Sequence, residues 1–197
     1  LIGPNGAGKS TVFNLITGVC SVSEGSITFE GNDLVNKKPH TIASYGIGRT
    51  FQLDLLFGEF TVLENVTASF QLHPKSRLFD VYFNTKQYRR NESEIMRQSL
   101  QILELIGLLD IKDTPARYLS HGHQKMLGIA RALATKPKLL LLDEPLGGMN
   151  PDEINLALEA IKKAYQQGVT IFLVEHNMKI LDFCQRIIVM NFGKKIA

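Results

Sequence analysis

Residues 3–10 read GPNGAGKS and fit the pattern G-x-x-x-x-G-K-[ST] at each fixed position. The glycines of such a loop let backbone N–H groups turn inward around phosphate groups, and the helical run that follows adds the positive end of its dipole. We expect Lys9 to reach the β- and γ-phosphates of a nucleotide and the Ser10 hydroxyl to bind Mg²⁺. A chance glycine-rich turn is the alternative interpretation, and a second motif further along the chain argues against it.

That second motif is LLLLDE, residues 139–144. Four apolar residues in a row predict a strand buried on both faces of a parallel sheet, and Asp143 then stands at its C-terminal tip, where α/β sheets bind ligands. Asp143 can hold Mg²⁺ through the water shell of the metal, and Glu144 can polarise a water molecule for attack on the γ-phosphate. The alternative is a solvated strand end, which the presence of Lys9 and Asp143 in one chain disfavours.

Predicted strands and helices alternate on both sides of a long helical stretch. Strands are predicted within SITFEGNDL (26–34, a strand and turn), YGIGRTFQ (45–52), KLLLLDEP (138–145), VTIFLVEH (169–176) and RIIVM (186–190). From about residue 53 to 135 apolar residues recur at helical spacing, and Thr61 with Glu64 forms a capping box that begins a helix. Asn150 is expected to cap a later helix, with Pro151 at its first position. Another helix is expected around residues 177–184, between the last two strands. This order predicts an α/β fold in which a parallel sheet is interrupted by an inserted α-helical subdomain and accompanied by a small antiparallel β element.

Composition excludes several classes of protein. A formal net charge of +3 on 197 residues is too mild to indicate a nucleic-acid partner, and the apolar runs fall short of the roughly 18 residues that a membrane span needs. Cys20 and Cys184 match no metal or redox spacing, so we expect buried free thiols. Because the chain starts two residues before the glycine-rich loop, we expect a piece of a longer polypeptide that lacks at least one strand.

Further elements, in the same order along the chain, resemble the nucleotide-binding domain of an ABC transporter. They are GRTFQ with Gln52, LSHGH at 119–123 as the signature motif, GGMN at 147–150 as the D-loop, and His176 after IFLVE as the switch histidine. The resemblance implies a P-loop NTPase (RecA-like) fold. Residues 1–52 and 136–197 would form the two parts of the ATP-binding core, and residues 53–135 the helical subdomain that ends in the signature helix.

The resemblance also implies ATP and Mg²⁺ as cofactors and assigns roles to individual residues. Those expected to bind the nucleotide are Asn5, Gly6, Ala7, Gly8, Lys9, Ser10, Thr11, Ser120, Gly122 and His123. Those expected to act in catalysis are Glu144, His176, Gln52 and Lys9. Those expected to hold the metal are Ser10, Gln52 and Asp143.

In this family two such domains pair head to tail, so that the helix opened by Ser120 covers the γ-phosphate held by the other subunit. The implied partners are therefore a second ATPase subunit, identical or not, two transmembrane permease subunits and, indirectly, a solute-binding protein, with no nucleic acid. The implied location is the cytoplasmic face of the plasma (inner) membrane, as a peripheral subunit.

The signature and the D-loop depart from the family pattern at three positions. His121 stands in place of a glycine, His123 in place of a glutamine and Asn150 in place of an aspartate. A neutral imidazole at residue 123 can still donate and accept hydrogen bonds. A metal site made by His121 and His123 is the alternative, and it lacks a third ligand nearby.

The stretches GIGRTFQ, TVLENV, GMNPDE and VEHNM closely resemble ATPases of branched-chain amino acid importers. We therefore expect a Mg²⁺-dependent ATPase that powers amino-acid uptake. Two alternatives are an ATPase of a urea or short-amide importer and an ATP-dependent dimerisation module with weak hydrolysis. A soluble ABC ATPase of DNA repair or translation usually carries tandem domains or long coiled coils, which a single short domain does not match.

Overall fold

The computed structural model describes residues 1–50, 56–70, 82–175, 180 and 184–197. Two predicted site residues, Gln52 and His176, lie outside the described residues, as does most of the helix expected around residues 177–184. Within the part of the chain that is described, no helix combines the length and the apolar character needed to cross a bilayer.

The regular elements are numbered in chain order. The strands are β1 (Thr28–Phe29), β2 (Asn32–Asp33), β3 (Ile47–Arg49), β4 (Leu139–Asp143), β5 (Thr170–Val174), β6 (Met190–Asn191) and β7 (Lys194–Lys195). The α-helices are α1 (Lys9–Ile16), α2 (Pro39–Ser44), α3 (Val62–Ser69), α4 (Lys86–Leu105), α5 (His121–Ala134) and α6 (Pro151–Gln166). Two 3₁₀ turns, Leu109–Ile111 and Ala116–Tyr118, lie between α4 and α5.

A parallel sheet of β3, β4 and β5, with β4 in the middle, forms the centre of the molecule. Three of the four leucines of β4 are fully buried and separate two cores: Leu141 packs with Phe13 of α1, whereas Leu140 and Leu142 pack with the inserted helices. The prediction of a strand buried on both faces is confirmed. Because β4 is held on both sides, the residues that follow it have a fixed place in the fold.

The described part of residues 53–135 is helical, as predicted. Helices α3, α4 and α5 pack against one another. The capping box at the start of α3 is present, since Thr61 Oγ1 accepts a hydrogen bond from the Glu64 N–H (3.1 Å) and Glu64 Oε2 accepts one from the Thr61 N–H (2.8 Å). These helices share one apolar core with the sheet. The exact domain boundaries stay a prediction.

Helix α6 begins as its sequence predicts. Asn150 Oδ1 accepts hydrogen bonds from the N–H groups of Asp152 and Glu153, at 3.0 and 2.9 Å, and Glu153 Oε2 accepts one from the Asn150 N–H at 2.9 Å. Asn150 therefore works as a full helix cap without carrying a charge.

The small antiparallel element is confirmed as the β1–β2 hairpin, whose turn residues Glu30 and Gly31 both have positive φ. The prediction of a strand over residues 186–190 is largely wrong. Only Met190–Asn191 forms a strand, paired antiparallel with β7, and Val189 makes one isolated parallel bridge to Ile2. The parallel hydrogen bonds of residues 188–190 go to Ile2, and after Asn191 a turn at residues 192–193, both at positive φ, folds the chain back so that β6 pairs with β7.

The expected burial of both thiols is wrong for Cys20. Both cysteines are free, but Cys20 is exposed and Cys184 is half-buried. Cys20 follows the end of α1, where its N–H bonds back to the Asn14 carbonyl at 3.2 Å, and this turn leaves its side chain on the surface.

Candidate functional site

The glycine-rich loop leads directly into α1. Gly8, at φ 96°, is the residue before the helix, and a Cβ at Gly3 would overlap the carbonyl oxygen of Met190. Asn5 and Gly6 are exposed, whereas the Ala7 side chain is buried and turned away from solvent. Asn5 and Gly6 are therefore open to a ligand, whereas the Ala7 N–H donates a hydrogen bond to the Pro4 carbonyl at 3.1 Å. Ser10 and Thr11 lie exposed in the first turn of α1.

Lys9 occupies the middle of this loop. Its ammonium donates hydrogen bonds to the carbonyl oxygens of Gly3 (2.8 Å) and Pro4 (3.0 Å), and the residue is 6% exposed. A cation held beside the N-terminus of a helix makes the loop attractive to an anion. The loop residues Asn5, Gly6, Ala7, Gly8, Lys9, Ser10 and Thr11 thus lie at the start of α1, and their role in binding a nucleotide stays a prediction.

Asp143 ends β4 and is nearly fully buried. Its Oδ2 lies 3.4 Å from Nη2 of Arg49, and its Oδ1 has no hydrogen-bond partner among the described residues. Burial raises the pKa of Asp143 above its usual value, while the charges of Arg49 and, more weakly, Lys9 act to lower it.

Arg49 is a site residue that the sequence interpretation missed. From the end of β3 its Nη1 donates hydrogen bonds to Asn14 Oδ1 (2.8 Å) and Thr17 Oγ1 (3.0 Å), both in or next to α1. Burial lowers the pKa of Arg49. The guanidinium therefore ties the helix that follows the loop to the acid at the tip of β4. The only signal in the sequence is a charged residue inside a short apolar strand.

Glu144, one residue past β4, has its backbone in the left-handed region, at φ 48°. Its N–H donates to the Val174 carbonyl at 2.9 Å, and its own carbonyl accepts a hydrogen bond from Nζ of Lys125 at 2.9 Å. Two residues after Glu144, the Leu146 N–H donates a hydrogen bond to the buried Glu175 carboxylate at 2.8 Å. Neither Lys125 nor Glu175 was expected from the sequence. Both support the turn that carries Glu144.

The start of α5 forms a separate cluster. Ser120 caps the helix by accepting a hydrogen bond from the His123 N–H (3.2 Å), and its hydroxyl lies 3.4 Å from Oε1 of Glu153. Gly122 is buried, and a Cβ there would overlap the Glu153 carboxylate. His121 lies against Gly148.

Ser120, Gly122 and His123 come together as predicted, but they do not join the glycine-rich loop of their own chain. Across the described ranges, no hydrogen bond or ion pair links them to Lys9. Nor does a group of three His, Cys, Asp or Glu side chains able to hold a metal form there or elsewhere in those ranges.

Comparison with known proteins points to one family. The family model described as ABC transporter matches residues 1–147. A branched-chain amino acid transport ATP-binding protein of Pseudomonas aeruginosa, BraF, is 38% identical over 100% of this chain and 78% of its own length. LivG of Salmonella typhimurium, described in the same words, is 41% identical over the same shares of the two chains.

A solved structure supports the fold. The dimeric post-hydrolysis state of an ATP-binding cassette with ADP and phosphate has a TM-score of 0.83 and 25% identity, over 100% of this chain and 82% of that one. The predicted fold class is confirmed by this likeness and by the parallel sheet with its helices and small antiparallel strands.

Proposed function

Because the chain belongs to the ABC transporter family, we propose that it is the ATP-hydrolysing subunit of an importer of branched-chain or similar amino acids. The observation that carries this proposal is the identity of 38–41% to amino-acid transport ATP-binding proteins along the whole of this chain. Both relatives carry that transport description. The phosphate loop and the acid pair at the end of β4 supply the groups that the reaction needs.

ATP binding would use the loop at the start of α1. Asn5, Gly6, Ser10 and Thr11 are exposed around this loop, and Lys9 adds a fixed positive charge for the β- and γ-phosphates. Ala7 would contribute its N–H, which donates a hydrogen bond to the Pro4 carbonyl at 3.1 Å in this structure. The phosphates would therefore be recognised by backbone N–H groups of the loop and by the charge of Lys9.

The residues present fit a Mg²⁺ ion. Asp143 has one carboxylate oxygen, Oδ1, that is buried without a hydrogen-bond partner among the described residues, and such an oxygen suits a hard cation or its bound water. Ser10, in the first turn of α1, and Gln52 would complete the set. When bound, the ion neutralises charge that builds up on the phosphate oxygens during transfer.

Hydrolysis would use Glu144 to orient and polarise the attacking water, with Gln52 and His176 contacting the water and the γ-phosphate. Glu144 stands one residue beyond Asp143 at the edge of the sheet. From these adjacent positions Asp143 would hold the metal and Glu144 the water that attacks the same phosphate. Lys9 would hold the phosphate oxygens during the attack.

A second subunit completes the site in this proposal. The Ser120 hydroxyl and the backbone of Gly122 and His123 would bind the γ-phosphate held by the partner, since among the described residues no hydrogen bond joins them to the loop of their own chain. The dimeric cassette among the related structures supports this arrangement. The dimer would act with two permease subunits and a solute-binding protein, as a peripheral subunit on the cytoplasmic face of the membrane.

Phosphate release by the natural full-length protein tests the enzymatic part. With ATP and Mg²⁺, Glu144→Gln should hydrolyse about a hundredfold more slowly or worse. The matched control Glu159→Gln alters an exposed acid on α6 and should keep the wild-type rate. Equal rates for Glu144→Gln and wild type would remove Glu144 as the base, and slow hydrolysis by all three proteins would favour a dimerisation module.

The solute is tested with the assembled transporter. Hydrolysis should be stimulated by the solute-binding protein loaded with leucine, isoleucine or valine, and not by the same protein offered urea. Stimulation by urea alone would replace the amino-acid proposal with the short-amide one.

A further inference from the structure

Lys125 connects two parts of the site that are far apart in sequence. It lies on α5, five residues after Ser120, and its Nζ donates a hydrogen bond to the Glu144 carbonyl at 2.9 Å. The side chain passes over Gly147, where a Cβ would stand 3.2 Å from Nζ. Lys125 therefore spans from the signature helix to the turn that follows β4.

The turn that it reaches needs support. Glu144 is a non-glycine residue at φ 48°, a backbone conformation that costs on the order of 1 kcal/mol or more and persists only where neighbours hold it. The Glu144 N–H is held by the Val174 carbonyl at 2.9 Å. Its carbonyl receives the Lys125 ammonium and, at 3.3 Å, the Gly147 N–H. The Lys125 bond is charge-assisted and is therefore the stronger of these two.

We infer that Lys125 is a positioning residue: by fixing the peptide of Glu144 it sets the direction in which the Glu144 carboxylate points. The inference rests on the proposed role of Glu144 as the base. Rotation of the Glu144 peptide would move its carboxylate relative to the attacking water, and a displacement of about 1 Å can cost up to about a hundredfold in rate.

The position of Lys125 also links the two halves of the site. Ser120 and Lys125 lie on one continuous helix, about 7.5 Å apart along its axis at the usual rise per residue. Through Ser120 this helix would contact the nucleotide of the partner subunit, and through Lys125 it holds the base of its own subunit. Closure of the dimer over the partner's nucleotide would thereby also align Glu144 for attack on the nucleotide of its own subunit.

Three variants of the natural full-length protein test the inference. Lys125→Met removes the charge at similar length, Lys125→Arg keeps a charged donor, and Lys163→Met removes an exposed lysine from α6 as a matched control. Lys125→Gln serves as a second neutral variant if Lys125→Met does not fold. ATP-driven dimerisation is measured in parallel, with Glu144→Gln added to each variant to block hydrolysis.

We expect Lys125→Met to lower kcat by about tenfold to a hundredfold while KM for ATP and ATP-driven dimerisation change by less than about twofold. Lys125→Arg should recover most of the rate, and Lys163→Met should match wild type. A kcat for Lys125→Met within about twofold of wild type would overturn the inference. So would a loss of dimerisation as large as the loss of kcat, since that would indicate a structural role. Equal rates for Glu144→Gln and wild type would instead refute the proposed function.

Discussion

Replacing Arg49 by methionine would test the energetics of the buried ion pair at the end of the sheet. The Arg49 and Asp143 side chains are 8% and 3% exposed, and their closest charged atoms are 3.4 Å apart. Removing one partner of a buried pair leaves the other charge uncompensated, which typically costs about 3–5 kcal/mol. Because the separation is long, we expect a loss near the lower end, about 3 kcal/mol in the free energy of unfolding. For a chain of this size that corresponds to roughly 6–12 °C in Tm.

The loss should depend on pH in a defined direction. Burial already raises the pKa of Asp143, and the charge of Arg49 opposes that rise, so the pKa of Asp143 in Arg49→Met lies higher still. A carboxyl whose pKa is raised by folding binds a proton more readily in the folded state, and stability is then gained as the pH falls through the folded pKa. The deficit of Arg49→Met should be full at neutral pH and shrink toward acid.

Urea unfolding followed by circular dichroism at several pH values measures this, since the chain has no tryptophan to report by fluorescence. The double variant Arg49→Met/Asp143→Asn is the control: with both charges gone it should recover most of the lost stability, as replaced buried pairs often do. A neutral-pH loss below about 0.5 kcal/mol, or a loss that is the same at every pH, would refute the reasoning.

Three further predictions concern local contacts. Gly122→Ala should lower the free energy of unfolding by less than about 1 kcal/mol, because its Cβ would displace only the end of the flexible Glu153 side chain; a loss of about 3 kcal/mol or more in thermal unfolding would contradict this. Asn150→Ala should cost about 1 kcal/mol by removing the cap of α6, with Asn150→Asp keeping the stability of wild type in urea unfolding. Thr61→Ala should cost a similar amount, about 1 kcal/mol, through the capping box of α3, and Thr61→Ser should keep most of it; equal urea midpoints for the two variants would contradict this.

Features that depend on neighbouring residues could be predicted from the sequence. The caps at Thr61 and Asn150 need partners within one helical turn, and the glycine-rich loop carries its own geometry. The buried strand before Asp143 follows from an unbroken run of leucines. The two caps and the buried strand were confirmed because these features depend on residues within a few positions of the pattern.

Contacts between distant elements could not be predicted in this way. The Arg49–Asp143 pair joins residues 94 positions apart, and the bond from Lys125 to Glu144 depends on how α5 packs against the sheet. A single lysine or arginine gives no local sign of which carboxylate or carbonyl it will reach. The same limit explains the error over residues 186–190, whose apolar pattern indicates a strand but says nothing of which segment of the chain would pair with it.

The composition of β4 has one more consequence, for folding rather than for chemistry. Four consecutive leucines present the same side chain to both faces of the sheet. Burial of apolar surface alone would therefore tolerate a shift of one residue in the register of β4 against the neighbouring strands. Asp143 is the residue that breaks this degeneracy, because a slipped strand would carry its carboxylate away from Arg49. A chain without both charges would keep its stability but lose the ion pair that fixes the register of β4. Slower or less uniform refolding would reveal that loss.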